Sequence, residues 1–422
     1  MQKVLIISYF FPPSNFVGGE RTYAWAQHLS ERGVYPIIIT RNWNENQKDL
    51  VDKLDSNEYS IEKTDKYEIH RIPYKRSLRD RFSKYKWLGI FQKTLTLKEL
   101  IFSNFFIKSL PYYNFYSVAQ KLIEADLDIK VVITSGRPFQ SFSIGHALKK
   151  KFPSVKWVPD YRDEWTTHKH VEAYSFINRW INRLERRSEL KWTANADFFI
   201  SVSDNWVQSI ESLTNIKGKT IHNGYNKLIK SAEKTSNSHR LVITYAGSLY
   251  ESQNIQLIID SCVLLINTGN DILFQFIGTN VSIQRLKQIK EKIKGLENHF
   301  TFIDRMPKDQ LEEYIALSDI LMLTGFDKIK GWYPVKLFEY YASSKPILLY
   351  PTDNDVMEEF IVKSNSGFVP KDKSECIELL QIFVKNKIEG KEIEYNPNHE
   401  YAKQFSREEQ TKKLAHLIKN II

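Results

Sequence analysis

The sequence predicts an α/β protein with parallel, helix-covered sheets, and three observations say so. Short runs that are apolar throughout, rather than alternating, recur at strand length, as expected of strands buried on both faces. Segments of helical period lie between them. The runs fall into two series separated by a polar stretch, and 422 residues exceed the usual size of one domain.

The first series opens with Val4 to Ser8. A turn-rich loop, Phe11 to Gly19, follows. From Glu20 the period is helical, with Tyr23, Ala26 and Leu29 on one face and Gly33 as the stop. Ile37 to Thr40 completes a βαβ unit. Further strands are expected at Val131–Thr134, Val155–Val158, Phe198–Val202 and Thr220–His222. The second series runs through Leu241–Tyr245, Ile272–Ile277, Phe300–Ile303, Ile320–Leu323 and Pro346–Leu349. Between the series, Lys227 to Arg240 is polar and reads as the linker, with the boundary near 228–240. Residues 399–421 have helical spacing at Phe405, Leu414, Leu417 and Ile421. The expected domains are therefore 1–228, 240–398, and a C-terminal helix, 399–422, returning to the first domain.

An apolar fraction of 42% and a charged fraction of 26% exclude wholesale disorder and a disulfide-stapled miniature. Two cysteines, Cys262 and Cys376, are too few for a disulfide framework or a four-thiolate zinc site and fit a reducing compartment. The stretch from Met1 to Phe11 superficially resembles a signal peptide. Pro12-Pro13 and Gly18-Gly19 follow at once, with no small-residue cleavage pattern, so a buried strand of a cytoplasmic protein is expected. No run of about eighteen apolar residues suggests a membrane span.

Charge is the unusual feature: 60 Lys and Arg against 50 Asp and Glu leave +10, which calls for an anionic partner. Residues 71–115 hold ten Lys/Arg against Asp80 and Glu99, a net +8, interleaved with eleven aromatics. One reading is an inserted helical pair with a solvated face. The other is a surface that touches anionic lipid, because basic residues alternating with large aromatics suit the headgroup boundary. No recognised nucleic-acid module accompanies the segment, so nucleic acid is not an expected partner.

Two places could carry chemistry. Gly18 and Gly19, at the start of a helix, would let a ligand approach free amides, which favour phosphate; a plain tight turn is the competing reading. The three spaced glycines of a dinucleotide fingerprint are absent, which disfavours a nicotinamide dehydrogenase. In the second half, Pro334 starts a helix, Lys336 sits in its first turn, and Glu339 lies three residues on. A cation for a diphosphate and a carboxylate for ribose hydroxyls suit a sugar-nucleotide site. An exposed lysine and a capping glutamate would look the same.

Several motifs in order carry a resemblance: "FPPSNFVGGERTYAWAQHLSERG" after the opening strand, "VPDYRDEW" at 158–165, "ISVSDNW" at 200–206, "IHNGY" at 221–225, "YAGSLYES" at 245–252 and "YPVKLFEYYASSKPILL" at 333–349. With them, nearly the whole chain resembles the GT-B-fold glycosyltransferases of family 4, the retaining group that includes many bacterial capsule and lipopolysaccharide transferases. The resemblance implies two Rossmann-like parallel-sheet domains facing each other across a cleft, with a nucleotide-sugar donor on the C-terminal side. The acceptor, a glycan or lipid-linked sugar, is implied on the N-terminal side. By position, Glu339 matches the carboxylate that holds the donor ribose, and Gly18-Gly19 the loop facing the donor phosphates and the acceptor. Gly247 and Ser248 match the diphosphate-binding loop, and Arg305 and Met306 the region beside the nucleobase. Lys336, with Leu337 beside it, is assigned to the donor and to catalysis.

The family often has Arg where Ser248 stands, Lys where Gln253 stands, and a second Glu where Gly331 stands. Lys336 is the substitute cation. The resemblance implies retention by front-face attack, with electrostatic stabilisation of the leaving diphosphate. Arg162 and Asp163, in the polar cluster with Asp160, are assigned to acceptor binding or polarisation; an ion pair holding the loop is the alternative. Asp353-Asn354-Asp355 has the form of a metal motif, but Asp355 or Asn354 reads better as a helix cap. His168 and His170 lack companion ligands. No metal and no separate cofactor are expected. The expectation is a metal-independent hexosyl- or related transferase of cell-surface polysaccharide synthesis, cytoplasmic, and peripheral at the inner face of the plasma membrane if 71–115 binds lipid. The substitutions at 248, 253 and 331 leave a degenerate accessory protein as the second reading, and a sugar-nucleotide epimerase as the third.

Overall fold

The structure is a computed structural model that describes residues 1–421 apart from 15, 44–55, 57, 83–84, 86–88, 106–112, 168–175, 230–238, 280–282 and 327–328. Lys84, Lys86, Trp87, Phe106, His168 and His170 thus lie outside the described residues. The chain divides into two compact units: Met1–His222 with Arg407–Ile422, and Asn223–Ser406.

In the first unit, runs such as Val-Leu-Ile-Ile can be satisfied only where both sheet faces are covered. They form the inner strands of a sheet composed of β1 (Gln2–Ser8), β2 (Val34–Arg41), β3 (Ser60–Lys63), β4 (Glu68–Ile72), β5 (Ile129–Gly136), β6 (Lys156–Tyr161), β7 (Phe199–Ser201) and β8 (Gly218–Thr220); β3 and β8, at the edges, are short and polar. The sheet order is β3-β4-β2-β1-β5-β6-β7-β8. Strands pair in parallel except β3 with β4. Helix α1 (Glu20–His28) links β1 to β2, and Gly33, at φ 77°, closes the short turn after it. Between β4 and β5 lie α2 (Leu78–Phe82), α3 (Gly89–Phe105) and α4 (Tyr113–Ala125). The basic stretch therefore starts within β4 and ends within the crossover helix α4. Helices α5 (Gln140–Lys151), α6 (Phe176–Thr193) and α7 (Asp204–Thr214) complete the unit.

The second unit has β9 (Leu241–Ala246), α8 (Gln256–Asn267), β10 (Ile272–Ile277), α9 (Ile283–Lys292), β11 (Phe300–Ile303), α10 (Lys308–Leu317), β12 (Ile320–Leu323), α11 (Val335–Ala342), β13 (Ile347–Leu349), α12 (Val356–Lys363), β14 (Gly367–Phe368), α13 (Lys373–Ile388) and α14 (His399–Lys403). Its sheet, β11-β10-β9-β12-β13-β14, is parallel throughout. In each sheet the order reverses beside the first strand, between β1 and β5 and between β9 and β12. Loops diverge there at the carboxyl ends, which is where open α/β sheets take ligands.

The chain re-enters the first unit at Arg407. Leu414, Ala415 and Ile418 of α15 (Arg407–Asn420) join Val4, Trp25, Leu29 and Ile38 in its core. Ala402 and Phe405 instead belong to the core of the second unit, so the returning segment begins at 407, not 399. The first unit also holds a buried ion pair. Arg21 reaches Asp160 at 3.2 Å and donates to the carbonyls of Ile221 and His222 at 2.7 and 3.0 Å. Asp160 accepts from Ser135 at 2.9 Å, so it ties strands together, and its charge also acts on Arg162. No helix among the described residues is long and apolar enough to cross a membrane.

Candidate active site

In the second unit the diverging loops bring together residues far apart in sequence. Gly247, at the end of β9, has φ 89°, a conformation costly for any residue with a Cβ. Its backbone sits against Lys336; a Cβ there would lie 3.8 Å from Nζ. Helix α11 starts after Pro334, whose missing N–H loses nothing at a helix start. Tyr340, one face on, anchors the helix to the sheet by accepting from the Ala246 amide at 2.7 Å.

Lys336 therefore projects from the first turn into the β9 loop. Its ammonium donates to the Tyr245 hydroxyl at 2.8 Å and to the Ser248 carbonyl at 3.1 Å, and lies 4.1 Å from the Tyr245 ring centroid. Burial draws the Lys336 pKa down to about 7, while the charge of Glu339, one turn along, acts to raise it. Burial also pushes the Tyr245 phenol up, so it stays neutral. A half-buried ammonium beside an exposed loop backbone can bind a diphosphate.

Gln253, at the family's usual lysine position, is buried. Its amide oxygen accepts from Tyr250 N–H at 2.9 Å and from the Tyr245 hydroxyl at 3.3 Å, and its nitrogen donates to the Thr324 carbonyl at 2.9 Å. It joins the β9 loop to the β12 loop across the point where strand order reverses. Beneath it, buried Arg285 of α9 donates to the carbonyls of Tyr250 and Gln253. Neither role shows in the sequence.

Other assigned residues divide. Arg305 is exposed at the end of β11, beside Gly278 at the end of β10. Met306 packs against the core of the unit. The Leu337 side chain is fully buried in that core and its amide donates to the Pro334 carbonyl at 3.0 Å. Its apolar side chain is what seats α11. At 353–355, Asp353 performs the capping: its carboxylate accepts from the amides of Met357 and Glu358 at 2.9 and 3.1 Å. Asp355 instead accepts from the Gly331 amide. No cluster of three or more His, Cys, Asp or Glu among the described residues is arranged to hold a metal.

In the first unit, Arg162 donates to the Gly18 carbonyl and lies over the Phe10 ring, 5.4 Å from its centroid. Asp163 stands 3.8 Å from Arg162 and 3.7 Å from Arg137. A Cβ on Gly18 would fall 2.2 Å from Arg162 Nη1. Gly19 is packed against Phe11, and the acidic Glu20 in the first turn of α1 is paired with Arg407. The Gly18-Gly19 loop and Arg162–Asp163 thus form one cluster at the carboxyl edge.

Residues 226–403 match the family model described as glycosyl transferases group 1. Sucrose-phosphate synthase from Thermosynechococcus elongatus is similar over 100% of this chain and 99% of that one, at 14% identity and a TM-score of 0.64. A glycosyltransferase from Rickettsia africae covers 100% and 98%, at 15% identity and a TM-score of 0.58. HepE from Anabaena, in complex with UDP-glucose, covers 100% of both chains at 11% identity and 0.58.

The fold is GT-B. No curated protein sequence matches the chain. Within the GT-B frame, the part that matches the family model is the unit carrying Gly247, Lys336 and Glu339.

Proposed function

We propose that this GT-B protein moves a sugar, a hexose or a related one, from a nucleotide-sugar donor to a glycan or lipid-linked acceptor, with retention of configuration and without a metal. Cell-surface polysaccharide synthesis is the setting, as the family 4 resemblance implies. The observation that carries the reading is Lys336 held against the Gly247 loop, with Glu339 one turn on, inside the residues that match the family model.

In this reading the bond from the anomeric carbon to the diphosphate breaks, and its electron pair stays on the leaving oxygen. The acceptor hydroxyl attacks the same face and gives its proton to the departing diphosphate. The protein supplies preorganised positive potential, centred on the Lys336 ammonium beside the β9 loop; of the amides after Ser248, that of Tyr250 is already given to Gln253. Glu339 holds the ribose hydroxyls. Arg305 and Met306 flank the nucleobase, and Gly18-Gly19 with Arg162 and Asp163 serve the acceptor. HepE carries UDP-glucose, which makes uridine nucleotides the first donors to test. Nucleoside diphosphate release from a donor panel is expected, and its loss in Glu339→Ala and Lys336→Ala. If no donor binds by calorimetry, the reading falls. Release that needs no acceptor would favour an epimerase.

A second reading, a membrane-docking role for the basic segment, has one specific support. On α3, Ile90 and Phe91 are exposed near Lys93; on α6, which packs against it, Phe176 and Trp180 are exposed beside Arg179 and Arg183. That mixture suits an anionic headgroup layer. Charge reversal at Lys93, Arg179 and Arg183 should weaken binding to phosphatidylglycerol vesicles and spare nucleotide affinity. Unchanged vesicle binding would reduce the patch to a solvated surface.

A further inference from the structure

We propose that a cavity in the first unit, walled by α2 and α3 against the loops after β5 and β6, binds an uncharged sugar of the acceptor; this rests on the transferase reading above. The cavity measures about 330 Å³, and its lining includes Arg79, Glu99, Arg137, Phe139, Trp165 and Glu185. That volume is at the small end of ligand sites, which begin near ~300 Å³. It suits a terminal sugar and is too small for an extended lipid tail.

The lining selects the chemistry. Phe139 and Trp165 are stacked at 4.8 Å with an interplanar angle of 7°, and Trp165 stacks in turn on Trp192 at 5.4 Å. Phe139 and Trp165 are nearly buried, so they meet the cavity as a rigid apolar edge for the C–H groups of a sugar rather than as an open ring face. Around it stand two guanidinium groups and two carboxylates, with Arg79 3.6 Å from Glu99. A phosphorylated or carboxylated ligand would confront both glutamates. An alkyl chain would strip water from four charged groups without replacing it. Sugar hydroxyls, by contrast, donate to carboxylates and accept from guanidiniums. The net charge of these four groups is zero, and they come from different segments: Arg79 and Glu99 belong to the basic stretch, Arg137 and Glu185 do not. The basic excess of 71–115 is therefore not aimed into this cavity.

Position supports the assignment. Arg137 follows β5 and Trp165 follows β6, at the carboxyl edge that also holds Asp163, 3.7 Å from Arg137. A sugar in the cavity would lie beside the Arg162–Asp163–Gly18 cluster. Helix α3 thus becomes a selectivity wall for the acceptor.

Saturation-transfer NMR on the full chain tests this, with methyl glycosides of neutral hexoses, their 6-phosphates and the matching uronic acids. At least one neutral glycoside should bind. Glu99→Gln should weaken it about tenfold or more, and Thr96→Trp, which fills the cavity, should abolish it, with UDP affinity unchanged in both. Circular dichroism checks folding, and Glu99→Gln, nearly isosteric, keeps the test open if the tryptophan variant unfolds. The proposal is overturned if only the charged sugars bind, if no sugar binds at millimolar concentration, or if both variants bind neutral sugar like the parent. Donor turnover with no sugar binding would sink this inference alone. Neutral sugar binding with no donor ever turned over would leave the cavity assigned and remove the transferase.

Discussion

The ammonium of Lys336 rests 2.8 Å from the hydroxyl of Tyr245 and 4.1 Å from the centroid of its ring. The phenol is neutral, so the cation is held by a dipole and a π face, with no carboxylate in ion-pair contact among the described residues. Such a site leaves the positive charge available to a ligand instead of cancelling it.

Nucleotide affinity should therefore depend on pH in one direction. With the Lys336 pKa drawn down to about 7, the free protein loses the cation as pH rises through that value, and UDP affinity falls. Lys336→Arg should flatten the profile, since guanidinium stays charged. Glu339→Gln removes the charge that raises the lysine, so the midpoint should move to lower pH. Lys336→Ala should cost about 10²–10³ in turnover. Calorimetric titration across roughly pH 5.5–9 measures the first three.

Arg285→Met should raise the donor KM several-fold with a smaller change in kcat. Its guanidinium is the shared donor to the Tyr250 and Gln253 carbonyls, and without it the loop that contacts Lys336 loses its floor. Lysine cannot bridge both carbonyls in that fork geometry, so Arg285→Lys should recover little. Steady-state kinetics with saturating acceptor separates the two constants.

Gly18→Ala should act on the acceptor instead. The new Cβ needs the space of Arg162 Nη1, 2.2 Å away, so the guanidinium must leave the Gly18 carbonyl. Acceptor KM should rise by a larger factor than UDP affinity falls. Equal loss on both substrates would contradict the placement of this cluster.

Stability should fall with rising pH through one buried carboxyl. Glu189 is fully buried and accepts from Thr166; burial raises its pKa from 4.5 to about 7. Its protonated form is favoured by the fold, so the contribution is complete below the unfolded value and is lost as pH rises through about 7. The loss is on the order of 2–3 kcal/mol. Glu189→Gln should remove that slope from urea unfolding midpoints measured between roughly pH 4.5 and 8.

Much of the second unit was legible because its strands are mostly apolar and fall at regular intervals: Ile272–Ile277, Phe300–Ile303 and Ile320–Leu323 are strands with the bounds the sequence suggests. Strand β3 was not, since Ser60 to Lys63 is exposed along its length at a sheet edge and carries no burial signal. Strand β14 is only Gly367–Phe368, too short for any period. At the site, Lys336 and Glu339 stood out by spacing on one helix. Gln253 reads in sequence as a missing cation, yet its amide both accepts and donates, which a lysine could not do. Arg285 looks like any arginine of a charged helix. Only tertiary structure sets it under the loop.

The crossing of the chain at 222/223 and again at 406/407 has a bearing on synthesis. The first unit lacks Leu414, Ala415 and Ile418 of its core until α15 leaves the ribosome. The second unit, continuous from 223 to 406, can close first. The first unit, begun before the second, is completed after it, and until then part of its apolar core lacks its cover.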